Sequence, residues 1–416
     1  MTDSTLRCPV AHGFDPLSPD YLDSPYPYLN DLREAAPVHY VPSIDYWIVT
    51  RYADVAAVFG DPETFSAAIA QAPLAPLTDE AAEILRAGLH NTPVLSNLDP
   101  PAHTRVRRHL ATMFVPRKVA AMAPQIERLA SELIEQFEER GTADLIAELA
   151  FPLPALTMFR LLGFPDADAD MLKSWCNDKL EVNWGKPTAD YQRRAATNMT
   201  KLWSYCADFV AQRSRQPGND LTSDLIRQRE NDPEALDDQE VASVLFALGF
   251  AGHETTTNLI GNAMRQLLLR PATWAEVCAD AQLLDGVVDE TLRFDSSVIA
   301  WRRITTRDAT IGGVFVPVGA NLMLAFGAAN HDPNMFPDPE KFDIRRSNAR
   351  LQLSFGKGTH FCLGQRLGRV EARTVIQLLS QRFPNMRLKP GQSFTFPPNI
   401  SFRGPEHLHV QWKPAP

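Results

Sequence analysis

The sequence predicts a mainly α-helical fold with a small β region, and three observations support this prediction. Apolar residues recur at helical spacing through most of residues 100–295. Within that region, the segment from Asp237 to Pro271 has the pattern of a single helix of about 30 residues, about 45 Å long. Between residues 298 and 326 the pattern changes to short runs typical of strands. We therefore expect helices to form most of the core.

The composition fits a large buried core and excludes several classes of protein. The chain has 416 residues, of which 44% are hydrophobic and 22% charged, and its net charge is −9. That balance argues against a nucleic-acid-binding protein, because such proteins are usually basic. The five cysteines are scattered and form no C-x-x-C pair, which favours a reducing cytoplasm over a disulfide framework. We expect no signal peptide and no membrane anchor, and a single domain covering residues 1–416.

The N-terminal part of the chain predicts little regular structure. Residues 1–45 are rich in Pro, Tyr and Asp, and we expect an irregular lead-in. Residues 46–50 read as a short strand because they combine aromatic and β-branched side chains. Residues 66–98 show no clear period, so we expect a long loop with about one helical turn. Prolines should break the helical region that follows, at Pro152, Pro154, Pro165, Pro187 and Pro217.

The later elements have clearer start and stop signals. Asp237 is a good N-cap for the long helix, with Glu240 three positions on in a capping-box spacing. The pair Gly312-Gly313 marks a turn between two strands. A last helix should follow Cys362 and end near Pro384, and the segment after it, which contains Pro397, Pro398 and Gly404, should form loops and short strands.

The strongest chemical signal is the segment Phe355-Gly-Lys-Gly-Thr-His-Phe-Cys-Leu-Gly364. Its glycines allow a tight backbone loop and close approach to a flat ligand. Cys362 then opens a helix, where unpaired N–H groups stabilise a thiolate. Zinc is a poor fit because only His360 is nearby, whereas structural zinc needs four ligands. Haem needs a single proximal ligand, and a cysteine thiolate favours O–O cleavage.

At this segment the chain resembles the cytochrome P450 family of haem-thiolate monooxygenases, and the resemblance covers most of the chain. It implies the family fold, in which the long central helix lies over the haem and the cysteine loop beneath it. It also implies haem b as cofactor, Cys362 as the metal ligand, and insertion of one oxygen atom from dioxygen into an organic substrate. Within the long helix, the segment Ala251-Gly-His-Glu-Thr-Thr256 resembles the family's proton-delivery motif, which makes Glu254 and Thr255 the catalytic candidates.

The resemblance also assigns cofactor-binding and structural residues. Arginine and histidine suit the two haem propionates, and the matching positions are His103, Arg107, Arg303 and His360. We expect Arg105, Arg108 and Arg302 to be solvated surface charges. Glu290 and Arg293, three apart on a helix, match the family's structural ion pair. In the family a later arginine completes this triad, and the alignment favours Arg346, with the neighbouring Arg345 as the alternative.

Helix periodicity and the resemblance together predict a substrate pocket. The candidates on the face of Thr255 lie four, seven and eight positions before it, and others follow the predicted strands. They are Ala247, Leu248, Ala251, Val298, Ile299, Ala300 and Ile400, with the loop 66–98 and the segment from Asn399 to Ser401 as further candidates. Because most of these side chains are apolar, we expect a small apolar or aromatic substrate, and a polyanionic substrate would contradict this prediction.

The sequence contains no dinucleotide fingerprint after a strand and no iron–sulfur cysteine cluster. We therefore expect an external electron donor: a ferredoxin with its reductase, or a flavin reductase that is separate or fused to the chain. The segment from Ser401 to Pro405 resembles haem domains that occur fused to a reductase. An acidic donor should meet basic residues near Cys362, for which the candidates are Arg107, Arg108, Lys357, Arg366 and Arg369.

Two other functions remain open at this point. The first is a peroxygenase on the same scaffold, against which the intact pair Glu254-Thr255 argues, because dedicated peroxygenases of the family lack it. The second is a haem-binding sensor or carrier without catalysis, in which this pair would be idle.

Overall fold

The computed structural model describes residue 11, residues 13–176 and residues 178–412. Cys8 and the rest of the first ten residues of the expected lead-in lie outside these ranges. In the described part of the chain the α-helices are α1 (Pro19–Asp23), α2 (Pro25–Ala35), α3 (Tyr52–Gly60), α4 (Asp79–Gly88), α5 (Ala102–Ala111), α6 (Pro116–Glu135), α7 (Pro152–Leu162), α8 (Ala169–Cys176), α9 (Lys179–Trp184), α10 (Ala189–Arg215), α11 (Leu221–Arg227), α12 (Asp238–Ala251), α13 (Glu254–Leu268), α14 (Pro271–Ala279), α15 (Leu284–Phe294), α16 (Phe326–Ala329) and α17 (Gln365–Arg382).

Short helical turns connect these helices. One is a π-helical segment, Ile146–Ala150, and the others are 3-10 turns at Glu138–Arg140, Asp166–Asp168, Gln228–Glu230, Ala281–Leu283, Ala349–Leu351 and Gly358–His360. No helix in the described ranges is both long and apolar enough to cross a membrane.

The strands form three small sheets. They are β1 (Val38–Val41), β2 (Tyr46–Val49), β3 (Phe65–Ser66), β4 (Thr142–Asp144), β5 (Trp301–Thr305), β6 (Ala309–Ile311), β7 (Val314–Val316), β8 (Asn321–Leu324), β9 (Arg387–Leu388) and β10 (His409–Gln411). The largest sheet has the order β1-β2-β8-β5-β3, with β2 and β8 parallel and the other pairs antiparallel. The second sheet is β4-β10-β9, and β6-β7 is a hairpin. The predicted class, mainly α with a small β region, is confirmed.

The N-terminal third is more regular than the sequence predicts. The expected irregular lead-in contains α1, α2 and β1, and the expected loop 66–98 contains the ten-residue helix α4. Pro19 and Pro25 each occupy the first position of a helix, where proline is favoured because its missing N–H would be unpaired anyway. Pro152 likewise begins α7 instead of breaking a helix. The prediction was wrong here because it treated every proline as a helix breaker, whereas a proline at the first position of a helix favours that helix.

Two hydrophobic clusters form the core. One joins α5–α8 and α10–α15 with α17, and the other packs α2, α3 and Trp184 of α9 against the five-stranded sheet. The hairpin turn is where the sequence predicts it: Gly312 and Gly313 have φ of +56° and +83°, which the favoured two-residue hairpin turn requires at both positions. Trp301 of β5 packs against the second cluster, and β5 carries Arg303.

Candidate functional site

The cysteine loop between Phe355 and α17 is built by its glycines. Gly356 and Gly358 have φ of +69° and +65°, a region that other residues rarely adopt. A Cβ on Gly358 would also lie 2.8 Å from the backbone oxygen of Phe59, so this position has no room for a side chain. The backbone N–H of Cys362 donates to the oxygen of Phe355 at 2.9 Å. The loop closes on itself and fixes the cysteine just before the first residue of α17.

The thiol of Cys362 is accessible even though protein atoms surround it. Burial raises its pKa above the ordinary value for cysteine. The N–H groups of Gly364 and Gln365 and the guanidinium of Arg107 act in the opposite direction, because each favours the thiolate. Arg107 is also tied to the loop, since its Nη2 donates to the oxygen of Phe361 at 2.7 Å. The free protein thus holds a desolvated thiol beside groups that would stabilise it as an anionic ligand.

Four nitrogen-bearing side chains gather beside this loop. The imidazole rings of His103 and His360 lie 4.3 Å apart between centroids. Burial, followed by the charge of Arg107, lowers the pKa of His103 to about 4. Burial, followed by the charge of Arg303, lowers the pKa of His360 to about 3. These mutual effects show that α5, β5 and the cysteine loop bring the predicted residues His103, Arg107, Arg303 and His360 into one cluster.

This cluster has more donors than acceptors. In the described part of the chain, both ring nitrogens of His103 and the Nε2 of His360 are buried without a hydrogen-bond partner. Arg303 is only 2% exposed, and burial lowers its pKa to about 10. Asp99 is the one carboxylate that acts on these groups, and it already accepts from Ser66 and Ala67. Unpaired buried donors are costly, so the cluster fits a group that carries further carboxylates, as the two propionates of haem do.

The long helix is interrupted where the sequence predicts its functional motif. The N-cap Asp237 and the capping box with Glu240 are present as predicted. However, the predicted single helix is two helices, α12 and α13, separated by Gly252 and His253. The Nδ1 of His253 lies 2.9 Å from the oxygen of Gly249, the carbonyl that the backbone N–H of His253 would bind in a regular helix. The side chain therefore replaces a backbone bond and opens the helix.

Close packing explains the glycine at this break. A Cβ on Gly252 would lie 2.3 Å from the Cε of Met158 on α7. His253 itself is 1% exposed, and burial lowers its pKa to about 4, so the ring is neutral near pH 7. The sequence singles out this glycine but not the histidine. The signal was available: a histidine four positions after a glycine inside a helix can reach that glycine's carbonyl.

Glu254 and Thr255 begin α13 directly after the break. Burial raises the pKa of Glu254 to about 7, so that near neutral pH this carboxyl can both hold and release a proton. The Oγ1 of Thr255 donates to the oxygen of Ala251 at 3.2 Å. The next residue, Thr256, approaches α17, because a Cβ on Gly368 would lie 3.2 Å from its Oγ1. The motif therefore lies beside the helix that Cys362 precedes.

The predicted structural triad is present as a buried ion cluster. Arg293 donates to both carboxylate oxygens of Glu290, each at 2.8 Å, and both side chains are fully buried. Arg346 reaches the same carboxylate at 3.2 Å and donates to the backbone oxygens of Asp338 and Lys341. The alternative, Arg345, is exposed and pairs with Glu276 instead. The cluster thus joins α15 to the loop before the cysteine segment.

The predicted pocket residues have different surroundings. On α12, Ala247 and Leu248 are half-buried. Ala251, the last residue of α12, is exposed and lies next to the break between α12 and α13. Val298, Ala300 and Ile400 are buried in the same hydrophobic cluster. Ile299 is also buried, but it contacts Gly327 and borders a separate small cavity next to α1. Of this set, Ala251 is the residue most available to a ligand.

One prediction about surface charge is wrong. Arg302 is fully buried, where its guanidinium lies 3.8 Å from the ring of Trp184 and Nη2 donates to the oxygen of Ala70. Alternation along β5 placed Arg303 towards the histidine cluster, and so Arg302 had to point to the other buried face. Of the other two arginines, Arg105 is half-buried and paired with Glu240, and Arg108 is exposed and paired with Asp232 and Glu234.

Known proteins resemble this chain along almost its whole length. The model of the family described as Cytochrome P450 matches residues 192–400. Cyclomarin C epoxidase CymV of Salinispora arenicola (strain CNS-205) is 35% identical over 387 residues, which are 93% of this chain and 95% of that protein. Cytochrome P450 monooxygenase PikC of Streptomyces venezuelae is 34% identical over 417 residues, with 98% and 96% covered.

Two solved structures have the same fold. Cytochrome P450 CREJ in complex with (4-ethylphenyl) dihydrogen phosphate has a TM-score of 0.93 and 35% identity, and the match covers 97% of this chain and 100% of that one. An intact type IV self-sufficient cytochrome P450 monooxygenase has a TM-score of 0.93 and 38% identity, and the match covers 97% of this chain but 53% of that one.

Proposed function

This chain belongs to the cytochrome P450 family and is a monooxygenase that binds haem b; from that premise we propose that Cys362 ligates its iron and that its substrate is a small, largely apolar organic molecule. The observation that carries the proposal is the arrangement of Cys362 next to four buried or half-buried nitrogen-bearing side chains. One thiol and a set of carboxylate-binding groups together match the two ends of the cofactor, its iron and its propionates.

Cys362 would be the proximal ligand of the iron. The N–H groups of Gly364 and Gln365 and the charge of Arg107 stabilise a negative sulfur, and Cys362 is exposed, so a ligand can reach it. When bound, haem with a thiolate ligand activates dioxygen and transfers one oxygen atom to an organic substrate. The residues around it supply position, charge and protons.

His103, Arg107, Arg303 and His360 would hold the propionates. Both arginines remain charged near neutral pH, although burial lowers their pKa. The two histidines are neutral there, so His103 offers one N–H as a donor. The single N–H of neutral His360 lies on Nδ1 and donates to the oxygen of Leu95 at 3.0 Å, so His360 would donate to a propionate only if the bound carboxylate kept its Nε2 protonated. Two arginine cations match two carboxylates in charge, and a propionate would give the N–H of His103 the partner that it otherwise lacks.

Glu254 and Thr255 would deliver the protons that oxygen transfer consumes. The carboxyl of Glu254 can carry a proton near pH 7, because burial raises its pKa to about that value. The hydroxyl of Thr255, the next residue, lies in the first turn of α13. The N-cap of that helix, His253, makes no capping hydrogen bond with its side chain. We propose that the carboxyl of Glu254 would release the protons and that the hydroxyl of Thr255 would orient them for transfer.

The substrate would contact the open face of α12. Ala251 is accessible and Ala247 and Leu248 are half-buried, so this wall is apolar and suits an apolar or aromatic molecule. CREJ is described in complex with an aryl phosphate. An aryl phosphate is therefore the alternative substrate class against which an apolar substrate is to be tested. A neutral phenol and its phosphate ester share the same aromatic part, and the ester adds a charged phosphate group, which an apolar wall would reject.

The proposed function is tested by substrate binding and turnover in the same holoprotein. We expect neutral aromatic and aliphatic compounds to shift the haem absorption band, and (4-ethylphenyl) dihydrogen phosphate to bind at least about tenfold more weakly than 4-ethylphenol. Turnover should need dioxygen and a reductant together. If only the phosphate ester shifts the band, the proposed substrate class is wrong; if peroxide alone supports equal turnover, the protein is a peroxygenase.

The electron donor would bind the surface beside the cysteine loop. Of the basic residues predicted there, Lys357 and Arg366 are exposed. The other three are already engaged: Arg107 donates to the backbone oxygen of Phe361, Arg108 pairs with Asp232 and Glu234, and Arg369 pairs with Asp289. An acidic ferredoxin, or a flavin reductase that is separate or fused, would therefore meet Lys357 and Arg366 first.

Charge reversal at these two residues should slow reduction by the donor. We expect the double variant K357E/R366E to raise the KM for ferredoxin by about tenfold at low salt, with a smaller effect at high salt because ions screen the attraction. The matched control is R387E, an exposed arginine on β9. An equal effect of both variants, or indifference of the rate to salt, would contradict this docking surface.

A further inference from the structure

A cluster of three metal-ligating side chains lies on the sheet β4-β10-β9, outside the residues assigned to the haem. The cluster consists of Asp144, His407 and His409, and one ligand atom from each lies within 4.8 Å of the others. Asp144 ends β4, and His409 begins β10 directly opposite it in the antiparallel register. Leu408, between the two histidines, is fully buried.

Strand geometry explains why the three side chains meet. Successive residues of a strand point to opposite faces, and the two residues before β10 continue this alternation: Leu408 is buried like Val410, whereas His407 is exposed like His409. Residues directly opposite in an antiparallel pair have Cβ atoms about 4.5–5.5 Å apart, which brings Asp144 to the same face. The two imidazole rings are stacked with a centroid distance of 5.7 Å and an interplanar angle of 5°. Two imidazoles and a carboxylate thus share one outward surface.

The carboxylate of Asp144 is oriented before any ligand binds. Its Oδ1 accepts from the N–H of Leu408 at 3.0 Å and of Ile146 at 3.1 Å. Its Oδ2 lies 2.6 Å from the Nδ1 of His407. Because Oδ1 is committed to the backbone, Oδ2 is the oxygen that can serve as a metal ligand.

The backbone of His409 is held equally firmly. The side chain of Gln392 donates to its oxygen at 2.7 Å and accepts from its N–H at 3.1 Å. Four charged residues adjoin the cluster. Glu148 accepts from the N–H of Asp144 at 2.9 Å and pairs with Arg140. Glu406 precedes His407, and the backbone N–H of Lys389 donates to the oxygen of His409 at 2.9 Å, so these two residues add one charge of each sign. The arginine's charge is therefore balanced locally, and the carboxylate of Asp144 gives the site a net negative charge.

We propose that Asp144, His407 and His409 form a binding site for one divalent first-row transition-metal ion, of which Zn²⁺ is the test case. Imidazole nitrogens with a carboxylate oxygen are ligands that zinc, copper and nickel accept, whereas calcium and magnesium prefer oxygen alone. The exposed position leaves room for water to complete four coordination. The ion joins the last strand of the described chain to β4, so its binding stabilises the folded protein.

The experiment measures zinc binding to the holoprotein without a polyhistidine tag. We expect equilibrium dialysis to find one site that is lost in the double variant H407A/H409A. The single variants H407A and H409A should each weaken it by at least tenfold, since even indirect partners of a metal are worth about 10–100-fold in affinity. The matched control is H90A, which removes an exposed histidine elsewhere. Zinc should raise the Tm of the wild type and of H90A, but not of the double variant.

X-ray absorption at the zinc edge gives an independent readout, because haem iron does not contribute there. The proposal predicts two imidazole nitrogens in the first shell of the wild type and none from this pair in H407A/H409A. Unchanged stoichiometry in the double variant would overturn the proposal, since zinc would then bind elsewhere. Absence of zinc binding to the wild type at about 0.1 mM zinc, which is about a tenth of a millimolar Kd, would overturn the proposal as well.

Discussion

Replacing Arg293 by alanine is expected to destabilise the protein by about 3–5 kcal/mol, because it leaves the carboxylate of Glu290 buried without its main partner. Both side chains are fully buried, and the two bonds between them are 2.8 Å long. A domain is stable by only about 5–15 kcal/mol in total, so this loss removes a large part of the margin. The measurement is urea unfolding of the holoprotein, followed by loss of the haem absorption band.

Two further variants keep this prediction informative if R293A does not accumulate. R346A removes a partner that lies 3.2 Å from the same carboxylate but leaves Arg293 in place, so a smaller loss is expected. R345A breaks an exposed pair with Glu276, and its effect should not exceed about 1 kcal/mol. A wild-type unfolding curve for R293A, or equal losses in R293A and R345A, would contradict the buried-cluster account.

Replacing Glu254 by glutamine is expected to lower product formation by about 100-fold, within the range by which a positioned acid or base accelerates a reaction. The variant keeps the shape of the side chain and removes its proton exchange. Burial raises the pKa of Glu254 to about 7. The carboxyl is therefore protonated below that pH and ionised above it, and the wild-type rate should fall as pH rises through about 7. In E254Q this pH step should disappear.

The companion variant, T255A, separates proton delivery from structural damage. We expect it to keep consuming reductant while more of the dioxygen leaves as hydrogen peroxide and less product forms. The control is T197A, because Thr197 makes the same kind of bond to the carbonyl four residues earlier, on the exposed face of α10. Unchanged coupling of reductant to product in T255A would remove Thr255 from the proton route, and an unchanged pH profile in E254Q would remove Glu254 from it.

Local chemical signals in the sequence predicted the capped ends and the charged contacts well. The N-cap Asp237, the hairpin turn at Gly312 and Gly313, and the helix from Gln365 to Arg382 all follow rules that involve a few neighbouring residues. The contact between Glu290 and Arg293 follows from their spacing of three on a helix. The choice of Arg346 over Arg345 came from the resemblance to the family, and the structure places Arg346 against Glu290.

The features that the sequence did not predict depend on contacts between distant segments. The break between α12 and α13 requires Met158 to pack against Gly252 and His253 to take the carbonyl of Gly249. Arg302 is buried because Trp184, which lies more than 100 positions earlier, stacks on its guanidinium. Neither partner can be identified from the local pattern, because a charged residue on a strand is more often exposed than buried.

The central claim is that the sulfur of Cys362 ligates the haem iron, and the most direct measurement is the absorption spectrum of the reduced holoprotein under carbon monoxide. The account predicts the red-shifted band of thiolate ligation in the wild type and in C278S, a control at a partly buried cysteine on α14. It predicts loss of that band in C362S. A wild-type protein that binds haem without the band, or a C362S variant that keeps it, would contradict the account.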